Sequence, residues 1–581
     1  MNRLKKTSAQ AEPLFKSLPG AARACALVLA TALALQTDVA DAGRLSVVQT
    51  FADNVLEKGR DRWSGKHTPL LADGICVDTG EPVVWRYRNQ EYIIHNLASQ
   101  QNLFRVLAAL TELTGEERYK NAALAAIRYH FEHLAASCGL LRWGGHQFID
   151  LRTLEPVGEF DADCHEFKNN FPCYDLMREA NPEATARFLR ALWNAHILDW
   201  GNLDMNRHGE FGKRMGRLWD SEFNEPEPFF EGQGLTFINC GTDLIYAGAT
   251  LYKFTGEEGA REWAERLAHQ YVRARHPETG LGVYQYSKPR RRRTPTTPMT
   301  TVRHTWARYG DRAENQFKAE FGDVAREGWV LWGYPVRNIY ARNALIQLSV
   351  AEQLGPDKGQ SMLDWTVDGM KALLKHAYTP EANQFRPMWA DGTDMTDYVI
   401  RTFGYYNRTG QETTIDPVIA DAEFFVSYAR AWRLTRDPDL WTTLRHMARG
   451  NRLGDIGETP EGDSALNLKT DNANPALIFA LLEIHRAAPR AATLELAERI
   501  AANIVEQRFR NGFFLPSPRH VNASFNVEEP LALLAVEAAL QGRPDAAPEY
   551  VASRGYIHGE YDGHGRTYDR QAIWDQVRSM R

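Results

Sequence analysis

Apolar side chains recur at helical spacing along most of this chain. Leu103, Val106, Leu107 and Leu110 fall at i, i+3, i+4 and i+7, and Leu124, Ile127, Phe131 and Leu134 repeat the pattern one segment later. Between them stands LTGEERY, where Gly115 stops one helix and the acidic pair favours the start of the next. FTGEEGA (254–260), LTRDPDL (434–440) and, more loosely, QLGPDKG (353–359) place the same punctuation between amphipathic segments. The pattern predicts helical hairpins, repeated.

A second recurrence follows the second helix of several hairpins: CGLLRWGGH (138–146), ETGLGVYQYS (278–287), EANQFRPMW (381–389) and NGFFLPS (511–517). Matched loops on one side of repeated hairpins point to units that stack or close on one another, and a closed ring would gather those loops at one mouth. The spacing is irregular, with long insertions. That favours an all-α toroid with strand-containing loops over a regular solenoid, with an irregular helical protein as the alternative. Residues 288–332 break the rhythm with KPRRRRTPTTP (288–298) and then RYGDRAENQFKAEFG (308–322). Pro and Thr exclude a helix at its start, so the segment reads as an exposed arm or lid. Its arginine run reads first as a solvated patch, and second as a site for a polyanion.

Composition changes this picture in three places. A length of 581 residues allows several domains, but a single large toroid also reaches it. The formal charge of −6 argues against a nucleic-acid partner. The 15 Trp, 22 Tyr and 26 Phe belong mostly to a core, with flat aromatic faces for sugars as the second use. At the N-terminus, Arg3, Lys5, Lys6, Lys16 and Arg23 precede ACALVLATALAL (24–35), and Ala40 and Ala42 stand before Gly43. This predicts an export signal over 1–42, a periplasmic location and one domain over 43–581, with a membrane-anchored or disordered extension as the alternative. The apolar run is short for a membrane span, and no comparable run follows. Of the cysteines, Cys76, Cys138, Cys164, Cys173 and Cys240 lie beyond that signal and form no CxxC pair; Cys164 and Cys173 are the nearest candidates for a disulfide.

Three segments are dense in groups that bind metals or move protons. They are WGGHQFIDL (143–151), FDADCHEFKNNFP (160–172), with Asp161, Asp163, His165, Glu166 and Lys168, and NLDMNRHGEFG (202–212), a polar turn after a hydrophobic helix that carries Asp204, Arg207 and His208. None matches HExxH. A lone histidine reads first as a packed structural residue, but three such clusters close together raise the chance of a shared site.

The strings WGGHQFIDL, CHEFKNNFPCY, NAHILDWGNLDMNRHG, PFFEGQGLTFINCGTDLIYAG, ARHPETGLGVYQYSKP and YGDRAENQF, in this order, resemble the pectate lyases of polysaccharide lyase family two. The resemblance runs from about Trp63 nearly to the C-terminus. It implies an (α/α)7 barrel that cleaves homogalacturonan by β-elimination with a divalent transition metal. Carried onto this chain, it implies His146, Glu166 and His208 as metal ligands and Arg207 as catalytic base. Two imidazoles and a carboxylate suit manganese, the foremost expectation, or cobalt or nickel, better than calcium. β-Elimination removes the C5 proton of a galacturonate, and a cation on the adjacent carboxylate stabilises the enolate-like charge. An arginine base is unusual, because guanidinium stays protonated at ordinary pH. The alternative keeps Arg207 cationic as a charge stabiliser, with Lys168 taking the proton. Lys168, Arg312 and the cluster HGEYDGHGRTYD (558–569) are weaker expectations for substrate contact. The partners so implied are polygalacturonate and oligogalacturonides, with no nucleic acid, no stable membrane insertion once the signal is removed, and a monomer. Two other functions fit the same residues in part: a toroidal glycoside hydrolase using carboxylates among Asp161, Asp163 and Glu166, and a non-catalytic oligogalacturonide-binding protein.

Overall fold

The helices form where the apolar spacing places them. Leu103, Val106, Leu107 and Leu110 are fully buried, as are Leu124, Ile127 and Leu134 to within a few per cent, while Phe131 is half-buried. This computed structural model describes residues 43–87, 90–144, 147–158, 164–167, 169–290, 310–550, 559–560, 566–567 and 576–578. The expected signal over 1–42 lies outside the described residues.

In chain order, α1 (Arg44–Lys58) precedes three helical hairpins. These are α2 (Gln101–Thr114) with α3 (Arg118–Tyr129), α4 (Tyr174–Ala180) with α5 (Pro182–His196), and α6 (Ile238–Thr255) with α7 (Glu258–Arg273). After α8 (Arg312–Phe321), the long α9 (Ala344–Ala377) is a hairpin in itself, led in by Tyr334–Arg337 and Asn338–Asn343. The remaining helices are α10 (Ala422–Thr435) with α11 (Pro438–Gly450), α12 (Pro475–Ala487) with α13 (Ala491–Arg508), and α14 (Glu529–Leu540). The turn chemistry follows the sequence. Gly115 and Gly256 adopt the left-handed conformation at φ 75° and 76°. Arg436 does the same job at φ 58°, and Asp437 caps α11 by accepting from the backbone N–H groups of Asp439 and Leu440. In QLGPDKG the outcome differs: Gly355 (φ 75°) and Pro356 kink α9 sharply without opening a loop.

Packing closes these hairpins into a ring. Among the described residues, α6 packs on α9, α9 on α10, α10 on α12 and α12 on α14, and α14 packs on both α1 and α2. Helix α1 is thus the outer partner of α14. The short α4 joins the inner circle at its start, where the Cys173 N–H donates to Gln101 Oε1 at 2.7 Å and Tyr174 stacks on Tyr246 of α6 at 5.1 Å. Inner helices are buried all round, α2 from Gln101 to Thr111 and α6 from Ile238 to Leu251. An outer helix such as α11 buries one stripe, Leu440, Leu444, Met447 and their neighbours. Seven such pairs make an α/α toroid.

The two ends of the ring differ. Every inner-to-outer connection is a short turn, such as 115–117, 256–257 or 436–437, and these share one end. Every outer-to-inner connection is long and lies at the other end, which carries the small sheets. The largest sheet orders Arg566–Thr567, Gly559–Glu560, Val84–Tyr87, Gln90–His95, Gln147–Asp150 and Glu155–Gly158. Residues 310–332 are not the exposed arm expected from sequence. Ala313, Phe317, Ala325, Val330 and Trp332 bury themselves with Trp389, Met395, Ile400 and Ile415 in a satellite core at this mouth, because the apolar stripe of α8 outweighs the polar run before it. The arginine run at 291–309 lies outside the described residues. Cys173 is a free thiol whose Sγ donates to the Gln101 carbonyl at 3.3 Å, so the Cys164–Cys173 disulfide does not form. No helix among the described residues is long and apolar enough to cross a membrane.

Candidate active site

The stretch NLDMNRHGEFG is more than a turn: it turns at 202–203 and 211–212 and runs through two short strands between them. Helix α5 ends at His196, Ile197–Asp199 pairs with Asp204–Met205, and the chain then enters His208–Glu210, antiparallel to Cys164–Glu166. The register sets Glu166 directly opposite His208, so the two side chains leave the same face of the ladder. The Phe167 N–H donates to the Arg207 carbonyl at 3.0 Å and extends the pairing by one rung.

On that face three side chains converge. Arg207 Nε lies 3.1 Å from Glu166 Oε1 and donates to His208 Nε2 at 3.1 Å. His208 Nε2 stands 3.6 Å from the same Glu166 oxygen. Side-chain exposure rises from 0 % at Glu166 through 9 % at His208 to 25 % at Arg207, so the carboxylate is the floor and the guanidinium faces the mouth. A carboxylate this deep needs a cation beside it. Because Nε2 of His208 accepts, its lone pair is directed into the cluster and the ring proton sits on Nδ1.

The opposite face of the ladder is a neutral histidine pair. His196 Nδ1 lies 2.7 Å from the Asn206 carbonyl, which can only accept, so Nδ1 carries the proton and Nε2 accepts from His165 Nδ1 at 2.8 Å. Burial pushes both rings down, His196 to about 4, which keeps them uncharged. The pair fixes the backbone just before Arg207. Asn206 contributes again, its side-chain oxygen accepting from the His208 N–H at 3.1 Å. Asp204 accepts from the Gln233 and Gly234 N–H groups at 2.6 and 3.0 Å, stapling the next loop to the same strand. Burial raises its carboxyl to about 6.

Two further residues hold the Glu166 side. Asn169 and Phe171 follow it at φ 55° and 36°, a left-handed turn that a bulky aromatic resists. Asp243 of α6 holds that turn, accepting from the Asn170 and Phe171 N–H groups at 3.1 and 3.3 Å; burial raises its carboxyl to about 7. Asn96 clasps Gly144, donating to its carbonyl at 2.8 Å and accepting from its N–H at 3.3 Å. Gly144, at φ 121°, is pressed so close that an added Cβ would lie 2.8 Å from the Glu166 backbone nitrogen and 2.9 Å from the Glu166 Cβ.

Of the residues expected from sequence, Glu166, Arg207 and His208 come together. Arg312 stands across the mouth at the start of α8, paired with buried Glu327 and stacked over Tyr405 at 3.9 Å and Phe237 at 5.2 Å. Burial raises the Tyr284 hydroxyl, and the positive charges of Arg312 and Arg207 both oppose that rise. His146, Lys168, Asp161 and Asp163 lie outside the described residues, as do the side chains of 558–569. Among the described residues no three His, Cys, Asp or Glu side chains converge as metal ligands; the described donors are Glu166 and His208. Asn96, His196 and Asp243 carry no motif in the sequence, because each acts on a different segment of the chain from its own.

Comparison with known proteins bears on this geometry. A family model described as periplasmic pectate lyase matches residues 68–560. A pectate disaccharide-lyase of Dickeya dadantii (strain 3937) is 34 % identical over 554 residues, spanning 92 % of this chain and 96 % of that protein. Two solved structures give similar outlines: the α-1,6-mannanase GH76A of Salegentibacter sp. HEL1_6, at TM-score 0.36 and 10 % identity over 86 % of this chain and 99 % of that one, and the cellobiose 2-epimerase of Bacillus thermoamylovorans B4167, at 0.37 and 9 % over 84 % and 98 %. At those scores neither carries any chemistry over.

Proposed function

This chain belongs to the periplasmic pectate lyase family, and on that premise we propose that the Glu166–Arg207–His208 cluster performs its β-elimination. The chain is a polysaccharide lyase acting on pectate, and its family is periplasmic. The observation that supports the cluster is the register: Glu166 and His208 face each other across one ladder with the Arg207 guanidinium 3.1 Å from both.

The donor set fits a transition metal. One buried carboxylate and one imidazole with its Nε2 lone pair turned inward would hold the ion, joined by His146 as third ligand. Bound there, the ion supplies Lewis-acid neutralisation of the substrate carboxylate, and manganese is the proposed choice. The chain's own residues do the rest. Arg207 faces the mouth, where it removes the C5 proton. The electron pair left behind forms the C4–C5 double bond, the bond from C4 to the glycosidic oxygen breaks, and that oxygen takes a proton from water, the hydroxide left being neutralised by the proton that Arg207 gives back to solvent. Arg207 begins as a cation against Glu166. With an ion held by Glu166 and His208, Arg207 would lose that contact and stand beside a like charge, and both changes would favour the neutral guanidine a base requires. Unsaturated disaccharide is the proposed product, after the relative's name.

The test is release of near-ultraviolet-absorbing unsaturated product from polygalacturonate, with product sizes followed over time. Chelation is expected to abolish it, and manganese to restore it better than calcium. Equal rescue by calcium would overturn the proposed ligand set.

A further inference from the structure

Among the described residues, two aromatic side chains stand out as large and exposed: Phe403 at 75 % and Tyr334 at 46 %. Both lie on the mouth. The Tyr334 ring meets that of Tyr284 at 6.2 Å, and Phe403 sits two residues before Tyr405, the ring beneath Arg312. The loop carrying Phe403 is rigidly built. Buried Asn407 donates to the carbonyls of Ile400 and Gln411 at 2.9 and 2.8 Å, and the Gly404 N–H closes onto the Asn407 carbonyl at 2.9 Å. Gln316 of α8 clamps it from below, donating to the Thr402 carbonyl at 3.0 Å and accepting from the Tyr406 N–H at 2.9 Å. Gly404 lies so close that a Cβ there would come within 2.4 Å of the Gln316 side-chain oxygen. Five hydrogen bonds thus fix the backbone on either side of one exposed phenylalanine.

Charge stands beside it. Tyr405 carries a guanidinium near each of two neighbours, Arg312 at 3.9 Å and Arg408 at 4.6 Å. Arg312 is neutralised by Glu327, whereas exposed Arg408 has no carboxylate within ion-pair distance among the described residues. A flat apolar face beside an unneutralised cation matches one ligand chemistry, an anionic sugar with an apolar C–H face and a ring carboxylate.

We propose that the 402–410 loop is a distal subsite for galacturonate units beyond those at the cleavage point, Phe403 stacking on a sugar ring and Arg408 pairing with its carboxylate. This rests on the pectate lyase reading. The loop reads chain length and leaves bond breaking to Arg207. Covering roughly 50 Å² of ring face at about 25 cal/mol per Å² corresponds to about a tenfold change in affinity.

The experiment compares Phe403→Ala and Arg408→Ala with the parent enzyme on trigalacturonate and on polygalacturonate. The expected result is a KM for the polymer raised about fivefold to tenfold, kcat unchanged, trigalacturonate kinetics unchanged, and a weaker salt dependence in Arg408→Ala. Both side chains are solvent-exposed, so thermal midpoints should not move. Polymer KM values equal to the parent's, or equal losses on trimer and polymer, would overturn the subsite. A parent enzyme that releases no unsaturated product would instead overturn the pectate lyase reading on which the subsite rests.

Discussion

Two arginine–glutamate contacts, each with one fully buried partner, sit at opposite ends of this ring and are built on opposite plans. Near the short-turn end, Arg430 of α10 is 2 % exposed and donates to Glu483, Ser349, Glu549 and the Tyr550 carbonyl, while Arg433 bridges Glu483 and Glu352. Burial raises the Glu483 carboxyl, but the two guanidiniums outweigh it and hold it below its ordinary range. Here side chains lock to one another across three inner helices. At the mouth, Glu166, Arg207 and His208 are placed by their backbones, through the His165–His196 pair, Asn206, Asp243 and the Asn96–Gly144 clasp. Their side-chain ends are left to meet at one point. The difference teaches how to tell a brace from a reaction centre: a brace is satisfied by its own side chains, a reaction centre is positioned from behind.

The sharpest way to break that contrast is a matched pair of variants. Arg207→Ala is expected to lower kcat by about a thousandfold or more, with the melting curve of the manganese-loaded enzyme unchanged because the ion then stands as the cation beside Glu166. Arg430→Ala is expected to cost about 3–5 kcal/mol in urea unfolding and to leave the KM of the folded enzyme unchanged. An unfolded Arg207→Ala, or a stable Arg430→Ala without turnover, would erase the distinction. The positioning claim is tested next. Gly144→Ala should displace Glu166, and Asn96→Ala should loosen it, weakening manganese affinity in calorimetric titration by about 10- to 100-fold. An unaltered affinity in both would show that the clasp is idle.

The smallest expected effect is on pH. Burial outweighs the stabilising N–H donors and holds the carboxyls of Asp73 and Asp243 up at about 8 and about 7, from an ordinary 3.8. The folded chain therefore keeps protons that the unfolded chain has released, so this stability is full below about pH 4 and is lost as pH rises toward 8. Below about pH 6.5 the buried, neutral His165 and His196 act in the opposite sense, since the unfolded chain binds protons there that their folded rings refuse. Thermal midpoints should therefore fall between about pH 7 and 8, and Asp73→Asn should flatten that fall. A profile rising over the same range would contradict these assignments.

What sequence made legible was local. A 3.6-residue period and a left-handed glycine both act within a few residues, so the hairpins and the turns at Gly115 and Gly256 could be read directly. The pairing of Glu166 with His208 joins strands of three residues each, too short to alternate visibly, so the stretch at Arg207 looked like a turn. The packed half of the 288–332 segment was hidden for a similar reason: beyond Phe321 and Trp332, Phe317 packs on Trp389, Tyr398 and Tyr406, all distant in sequence. Asn96 and Asp243 carry no motif, since their work is done on other segments' amides. The resemblance to a family, not the residue pattern, singled out Arg207 and His208 from other polar pairs.

Ring closure also sets a timetable. Helix α14 packs on α1 and α2, so the seam joins residues near position 50 to residues near position 530. A chain emerging from its N-terminus cannot shut that seam until almost its whole length is available, and until then the apolar faces of α1 and α2 lack their final partner. Contacts so distant in sequence make closure a late event. For a periplasmic enzyme this timing suits delivery as an unclosed chain: the toroid becomes a toroid only when its last inner helix arrives.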